Sequence, residues 1–493
     1  MAPEWSIQSI QEHGTLFDDR IYFEGVFTIL PGRCIISQGF GQVEHGRYWD
    51  SCYPDKASQL DQRQDYSIED EMVAGVQQRL MNAVRLRMQA DVPVGVYLSG
   101  GIDSSAIAGL VKNIMDERIQ SGGADCEQSS RLKCFTVQFD EGSGADESDI
   151  ARRTAQWLDA ELHVVHVTEE LLASRFEETI WFGETVFPEL TGVCKLHLAQ
   201  LAKSQGIRAV ITGEGSDEHF GGYPMFRADM IEEKDHSWPA SYFPSDQDIK
   251  QSVYRAFDGW GFKDLGALDS SSTLCMLQNT QIIHGFAKAT LPPLTLWANS
   301  LPVSDPHAVL AERLPQDGTA RKWHSLHTTQ YLWLQSILPV IILRIIGDNI
   351  DMVHQVESRP AFLDHHVTEY VNGIPPSLKM KYDPDTGSFN EKYILRQAMK
   401  PFITDELYKR RKHPFITPMN WKAGGPLENL FRNLITQHNV TQLGFVDWDQ
   451  ANWALNNAFG KENPTAFKSA MVVAQFVVLM QRFQVKPAIP CPN

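Results

Sequence analysis

The sequence predicts an α/β fold: a parallel sheet covered by helices on both faces, followed by a mostly helical C-terminal part. Three observations carry that prediction. Apolar strand-like runs at 94–98, 133–139, 161–167 and 207–212 alternate with helical stretches at 147–158 and 192–204, the rhythm of parallel strands joined by helical crossovers. The first of these strands runs directly into a glycine–serine loop that opens a helix. From Gln330 onward the pattern is mainly helical, with apolar runs at Ile337–Ile346 and Met471–Met480.

In order along the chain, residues 1–60 alternate short apolar stretches with turn signals such as Leu30-Pro31-Gly32-Arg33. Asp65–Gln89 reads as an amphipathic helix leading to the first strand. A Gly/Ser-rich linker at 121–130 separates the helix after the loop from the second strand. Residues 228–325 break the rhythm and have no clear period. Such a stretch is too long for a simple loop, and it is expected to carry short helices and to act as a lid. Three parts follow: a leading segment 1–60, an α/β domain 61–430 containing the 228–325 insert, and a helical extension 431–493.

A chain of 493 residues can bury a large core. Its formal charge of −17 argues against nucleic acid or an anionic membrane surface as partner. The seven cysteines are scattered and form no C-x-x-C pair, which suits reduced thiols in a cytoplasmic protein. Met1–Ile10 lacks the basic and apolar regions of a signal peptide. The two long apolar runs are about half a membrane span and include Arg344 and Gln475, so they read as core helices.

The chemistry concentrates in Leu98-Ser99-Gly100-Gly101-Ile102-Asp103-Ser104-Ser105. Three serine hydroxyls, two glycines that admit a ligand close to the backbone, and the N-terminus of a helix together form an anion cradle. Asp103 places a carboxylate inside that cradle, which makes electrostatic sense when a divalent cation joins it to a phosphate. The Gly-Lys-Ser/Thr ending of a Walker A loop is absent. A second cluster, Thr212-Gly213-Glu214-Gly215-Ser216-Asp217-Glu218, ends the fourth strand, and its acids repel one another unless a cation lies nearby.

The first segment resembles the pyrophosphate loop of the N-type ATP pyrophosphatases, whose fold is of the adenine nucleotide alpha hydrolase type. Together the two segments resemble the synthetase domain of class B asparagine synthetases and β-lactam synthetases. Val356-Glu357-Ser358-Arg359-Pro360-Ala361-Phe362-Leu363-Asp364 is similar to a further family motif with a slipped proline. Asn390-Glu391-Lys392-Tyr393-Ile394-Leu395-Arg396, followed by Arg410-Arg411-Lys412, is similar to another. The resemblance covers roughly residues 20–425. It implies ATP and Mg2+ as cofactors, with Ser99, Gly100, Gly101, Asp103, Ser104 and Ser105 holding the pyrophosphate. It also implies Asp103 and Asp217 as magnesium ligands, and Leu98, Val137 and Gly213 lining the adenosine pocket. Glu214 matches the glutamate that receives the incoming nitrogen nucleophile, and Lys412 would stabilise the charged transition state; an attacking amine must lose a proton, so a carboxylate near it is useful. An acid at 214, where β-lactam synthetases carry tyrosine, favours open-chain amide formation. Lys392 reads as a structural helix residue, and His365 and His366 as surface histidines.

Two departures sharpen the expectation. Family members begin with a glutaminase domain whose nucleophile is the cysteine after the initiator methionine. Here that residue is Ala2, and residues 22–49 resemble the connector beyond that domain, so the glutaminase half is expected to be absent. Nitrogen would then come from ammonia, a separate ammonia source or an amine. Around Glu184–Thr191 the chain also lacks the family's arginine segment, with no arginine until Arg208. A fixed guanidinium is the best holder of an α-carboxylate. The expected acid is therefore not aspartate but a larger, more apolar one. The resulting reading is an AMP-forming amide ligase acting on small molecules. A stand-alone ammonia-dependent asparagine synthetase and a non-catalytic partner protein remain open, as does the oligomeric state.

Overall fold

The computed structural model describes residues 2–12, 18–39, 41–57, 67–120, 131–139, 146–187, 189–238, 242–243, 283, 289–304, 306–315, 317, 319–410, 417–461 and 463–490. About half of the expected lid at 228–325 falls outside these residues, as does all of the linker at 121–130.

Strands β1 (Arg33–Ser37) and β2 (Val43–Arg47) pair antiparallel as a hairpin apart from the main sheet. Five strands build that sheet: β3 (Val94–Tyr97), β4 (Lys133–Phe139), β5 (Glu161–Val167), β6 (Ala209–Thr212) and β7 (Glu357–Pro360). All pair in parallel, in the order β5-β4-β3-β6-β7. A second hairpin joins β8 (Met380–Asp383) to β9 (Ser388–Glu391) inside the region expected to be mostly helical. Four sheet strands fall on the apolar runs. The fifth, β7, is an edge strand of sequence Glu-Ser-Arg-Pro. Charge and proline suit a sheet edge and leave no apolar alternation to read.

The helices that position the site are α1 (Ser67–Arg87), α2 (Ile102–Gln120), α3 (Ser148–Trp157), α4 (Glu169–Gly183), α5 (Thr191–Ser204), α6 (Ser216–Phe220), α7 (Tyr393–Met399) and α8 (Pro464–Phe483). Side chains alternate across a strand, so each strand feeds both faces of the sheet. Val96, Leu98, Cys134 and Ile211 join Leu80 and Val84 of α1, Ala106 and Leu110 of α2, and Leu395 of α7 in one core. Tyr97, Phe135 and Val210 join Leu172 and Phe176 of α4, Leu198 of α5 and the C-terminal helices in the other. Within α8 an unbroken run from Ala470 to Met480 is buried. Its length and apolarity would also suit a membrane span, but 72% of its apolar window packs inside the protein.

The apolar run at Ile337–Ile346 differs from the expected core helix. Leu338–Asp348 winds as a π-helix and departs from helical geometry at Gly347 (φ −85°, ψ −106°). Wide turns of this kind collect at functional sites, and here Ile342 and Ile346 line the main cleft.

Candidate active site

In a doubly wound sheet the ligand crevice lies beyond the carboxyl ends of the strands, where the crossovers change direction. Here that point is between β3 and β6, which are neighbours although β4 and β5 intervene in sequence. A cleft of about 330 Å³ opens there, walled by the loops after β3 and β6 and by α5.

The loop after β3 is held in shape by its own hydroxyls. Ser104 Oγ accepts from the Ser99 N–H at 3.0 Å and lies 2.9 Å from Ser99 Oγ, which accepts from the Gly101 N–H at 3.2 Å. Helix α2 starts at Ile102, so Asp103 and Ser104 occupy its first turn, where the helix dipole favours an anion. Arg410 donates to the Gly100 carbonyl and ion-pairs with Glu147, tying the loop to the segment leading towards Lys412.

The loop after β6 makes its turn through Gly215, whose left-handed φ of +90° and close approach to Leu363 (2.3 Å to a Cβ placed there) exclude a side chain. Ser216 Oγ then donates to Asp103 Oδ1 at 2.7 Å, linking the two loops across the sheet. Glu218 is buried, and burial with the adjacent Asp217 charge pushes its carboxyl up to about 7; Tyr223 donates to it at 2.9 Å.

The cation that these acids require is Lys392. Its Nζ donates to Asp103 Oδ1 and Oδ2 at 2.6 and 2.7 Å and pairs with Asp217 Oδ1 at 2.6 Å. This corrects the reading of Lys392 as a structural helix residue: it is the left-handed residue (φ +55°) preceding α7, and that backbone turn delivers its side chain into the acid pair. Gly222 makes room, since a Cβ there would lie 2.0 Å from Lys392 Cε and 2.1 Å from Asp217 Oδ1.

A second lysine lies at the other end of the cleft. Lys195 Nζ donates to Glu214 Oε1 at 3.1 Å and lies 3.5 Å from Asp351 Oδ2, while Tyr97 donates to Asp351 Oδ1 at 3.1 Å. Burial pushes the Glu214 carboxyl up, but the Lys195 charge and hydrogen bonds outweigh it and hold it below the usual carboxylate range. Asp351 is fully buried, and desolvation raises it to about 7 despite Lys195.

Of the residues expected from sequence, Leu98, Ser99, Asp103, Ser104, Val137, Gly213, Glu214 and Asp217 all line this one cleft. Gly100, Gly101 and Ser105 shape the loop behind it, and Ser105 is fully buried. Lys412 lies outside the described residues. Sequence reasoning did not single out Tyr97, Lys195, Tyr223, Ile342 or Ile346. The signal for Lys195 was present: Thr191, Cys194, Lys195 and Leu198 all line the cleft from α5, at the i, i+3, i+4, i+7 spacing of one helix face. A charged residue inside an apolar stripe marks a polar site.

Comparison with known proteins meets this geometry. Residues 75–481 match asparagine synthase. The chain belongs to the asparagine synthase family. Within the family, "Amidase chyE" of Penicillium rubens is 46% identical over 499 residues, covering 100% of this chain and 73% of the relative. "Amidase chry2" of Gibberella zeae is 45% identical over 492 residues, covering 99% and 73%. "Asparagine synthetase [glutamine-hydrolyzing] 1" of Bacillus subtilis is 25% identical over 372 residues, covering 75% of this chain and 53% of the relative. At family level this is an ATP-dependent, amide-forming enzyme of the ligase type.

Proposed function

We propose that this protein joins a carboxylic acid to ammonia or an organic amine, activating the acid as an acyl-adenylate with release of pyrophosphate from ATP. The meeting of the glycine–serine loop with the acidic turn across β3 and β6, fastened by the Ser216–Asp103 hydrogen bond, carries this reading. A helix N-terminus and the hydroxyls of Ser99 and Ser104 suit the phosphates, and Glu214 stands at the same cleft to accept a proton from the nucleophile.

The donor set fits magnesium. Asp103 and Asp217 offer hard carboxylate oxygens, and Lys392 between them leaves one net negative charge. Among the described residues no group of three or more His, Cys, Asp or Glu is arranged to hold a metal. Two carboxylates are what an ion arriving with the nucleotide needs, because magnesium keeps phosphate and water ligands. When bound there by Asp103 and Asp217, it would neutralise charge on the phosphates.

No arginine is among the described residues lining the cleft, and Arg208 lies away from it, bonded to Gln355. Tyr223, Ile342 and Ile346 instead give the cleft an apolar wall. Both features support an acid with an apolar body in place of aspartate. A cytoplasmic setting suits the free thiols of Cys34, Cys52, Cys134 and Cys194.

The test is MgATP consumption with a panel of acids and amines, products read by mass spectrometry. AMP and pyrophosphate formed with a non-aspartate acid are expected, and Asp103→Ala should lower the rate by on the order of 10²–10³. ADP as product would sink the reading. Turnover of an amide without ATP, the activity that the word amidase denotes, would replace it with hydrolysis.

A further inference from the structure

Glu214 does not stand alone. Its Oε1 is held by Lys195, whereas its Oε2 is buried with no hydrogen-bond partner among the described residues. Behind Lys195 stands Asp351, itself held by the Tyr97 hydroxyl, and the Tyr97 ring lies 4.7 Å from the Lys195 ammonium. The four groups come from α5, the loop after β6, the short helix Asn349–Asp351 ahead of β7, and the end of β3. Lys195 is the only lysine or arginine among the described residues lining the cleft. Of the two acids there that Lys392 does not serve by an ion pair or hydrogen bond, Glu218 takes the Tyr223 hydroxyl and Glu214 takes Lys195.

We propose that Lys195, anchored by Asp351 and Tyr97, is a positioning residue that holds Glu214 ionised and aimed at the incoming amine. The inference rests on the acyl-adenylate reading and deepens it. In the step concerned, the amine nitrogen attacks the acyl carbon and forms the C–N bond. The acyl carbon–oxygen bond to phosphate breaks, AMP leaves with the electron pair, and one amine proton passes to Glu214. A buried carboxylate that shares its cleft with Asp103, Asp217 and Glu218 would otherwise take up a proton before the amine arrived. Lys195 prevents this by charge and geometry, and cannot itself receive the amine proton because its ammonium is already stabilised by Asp351 and Glu214. The titratable groups facing Glu214 are Lys195 from α5, Tyr97 from β3 and Asp351 from the short helix ahead of β7, while Asp348 faces Lys195.

The experiment separates two half-reactions in the purified protein: acid-dependent exchange of pyrophosphate into ATP, and amide formation at saturating amine. For Lys195→Met, exchange should stay within about threefold of wild type while amide formation falls about 100-fold, the size of a lost acid–base contribution. The acidic limb of the amide pH profile should move to higher pH, and Lys195→Arg should restore most of the rate. Asp351→Asn, which keeps the lysine but loosens its anchor, should show the same split at about tenfold. Parallel loss of both half-reactions in both variants, or a limb that does not move, overturns the inference alone. A wild-type protein with no exchange for any acid overturns the acyl-adenylate reading, and the inference falls with it.

Discussion

The cleft has two ends, and each sets a lysine between carboxylates. At the phosphate-loop end Lys392 lies 2.6 Å from both Asp103 and Asp217. At the other end Lys195 lies 3.1 Å from Glu214 and 3.5 Å from Asp351. The first is a closed ion cluster on two tight loops. The second is looser, set on a regular helix beside an apolar wall, and leaves one Glu214 oxygen without a hydrogen-bond partner among the described residues. The difference separates two tasks: one lysine keeps acids together, the other keeps an acid ready.

That contrast can be broken most forcefully at Lys392. Only 1% of its side chain is exposed, so Lys392→Met leaves two carboxylates facing each other without their cation. Removing one member of a buried ion cluster costs about 3–5 kcal/mol. Chemical denaturation should show a loss of that size, and a loss under about 1 kcal/mol would mean that water already screens the pair.

The looser end is sharpened by pH. Burial raises the Asp351 carboxyl from 3.8 to about 7, so the folded state retains a proton that the unfolded chain has released. Its contribution is fully present below the unfolded value and is lost as pH rises through about 7. Relative to wild type, Asp351→Asn should therefore gain stability as pH rises from about 4 to about 7. Unfolding curves across that range that keep a constant gap would show that Asp351 is ionised throughout. The smallest effect belongs to neither end. Thr168 caps α4 by accepting from the Leu171 N–H at 3.2 Å. Thr168→Ala should cost about 1 kcal/mol with both half-reactions unchanged.

The same contrast explains what was legible in the sequence. The phosphate-loop end is written in contiguous residues, Leu98–Ser105 and Thr212–Asp217, because a tight loop must be built from neighbours. Its inner strands β3, β4 and β6 are mostly buried apolar runs, and they read plainly. Lys392 escaped because its role depends on a left-handed turn that joins it to loops 289 and 175 residues earlier. The other end is assembled from Tyr97, Lys195, Glu214 and Asp351, which meet only through strand order and helix packing. Edge strand β7 escaped for a related reason, since Glu357-Ser358-Arg359-Pro360 carries no apolar alternation.

Lys392 has one more consequence. Because the ammonium that bridges Asp103 and Asp217 is part of the chain, the site has one of its two negative charges offset as soon as α7 docks, whatever ions the solution offers. Assembly of this corner is thus independent of metal supply, and a chelator should leave the fold standing in a denaturation curve. The protein carries its own first counter-ion and keeps a single negative charge at the cluster.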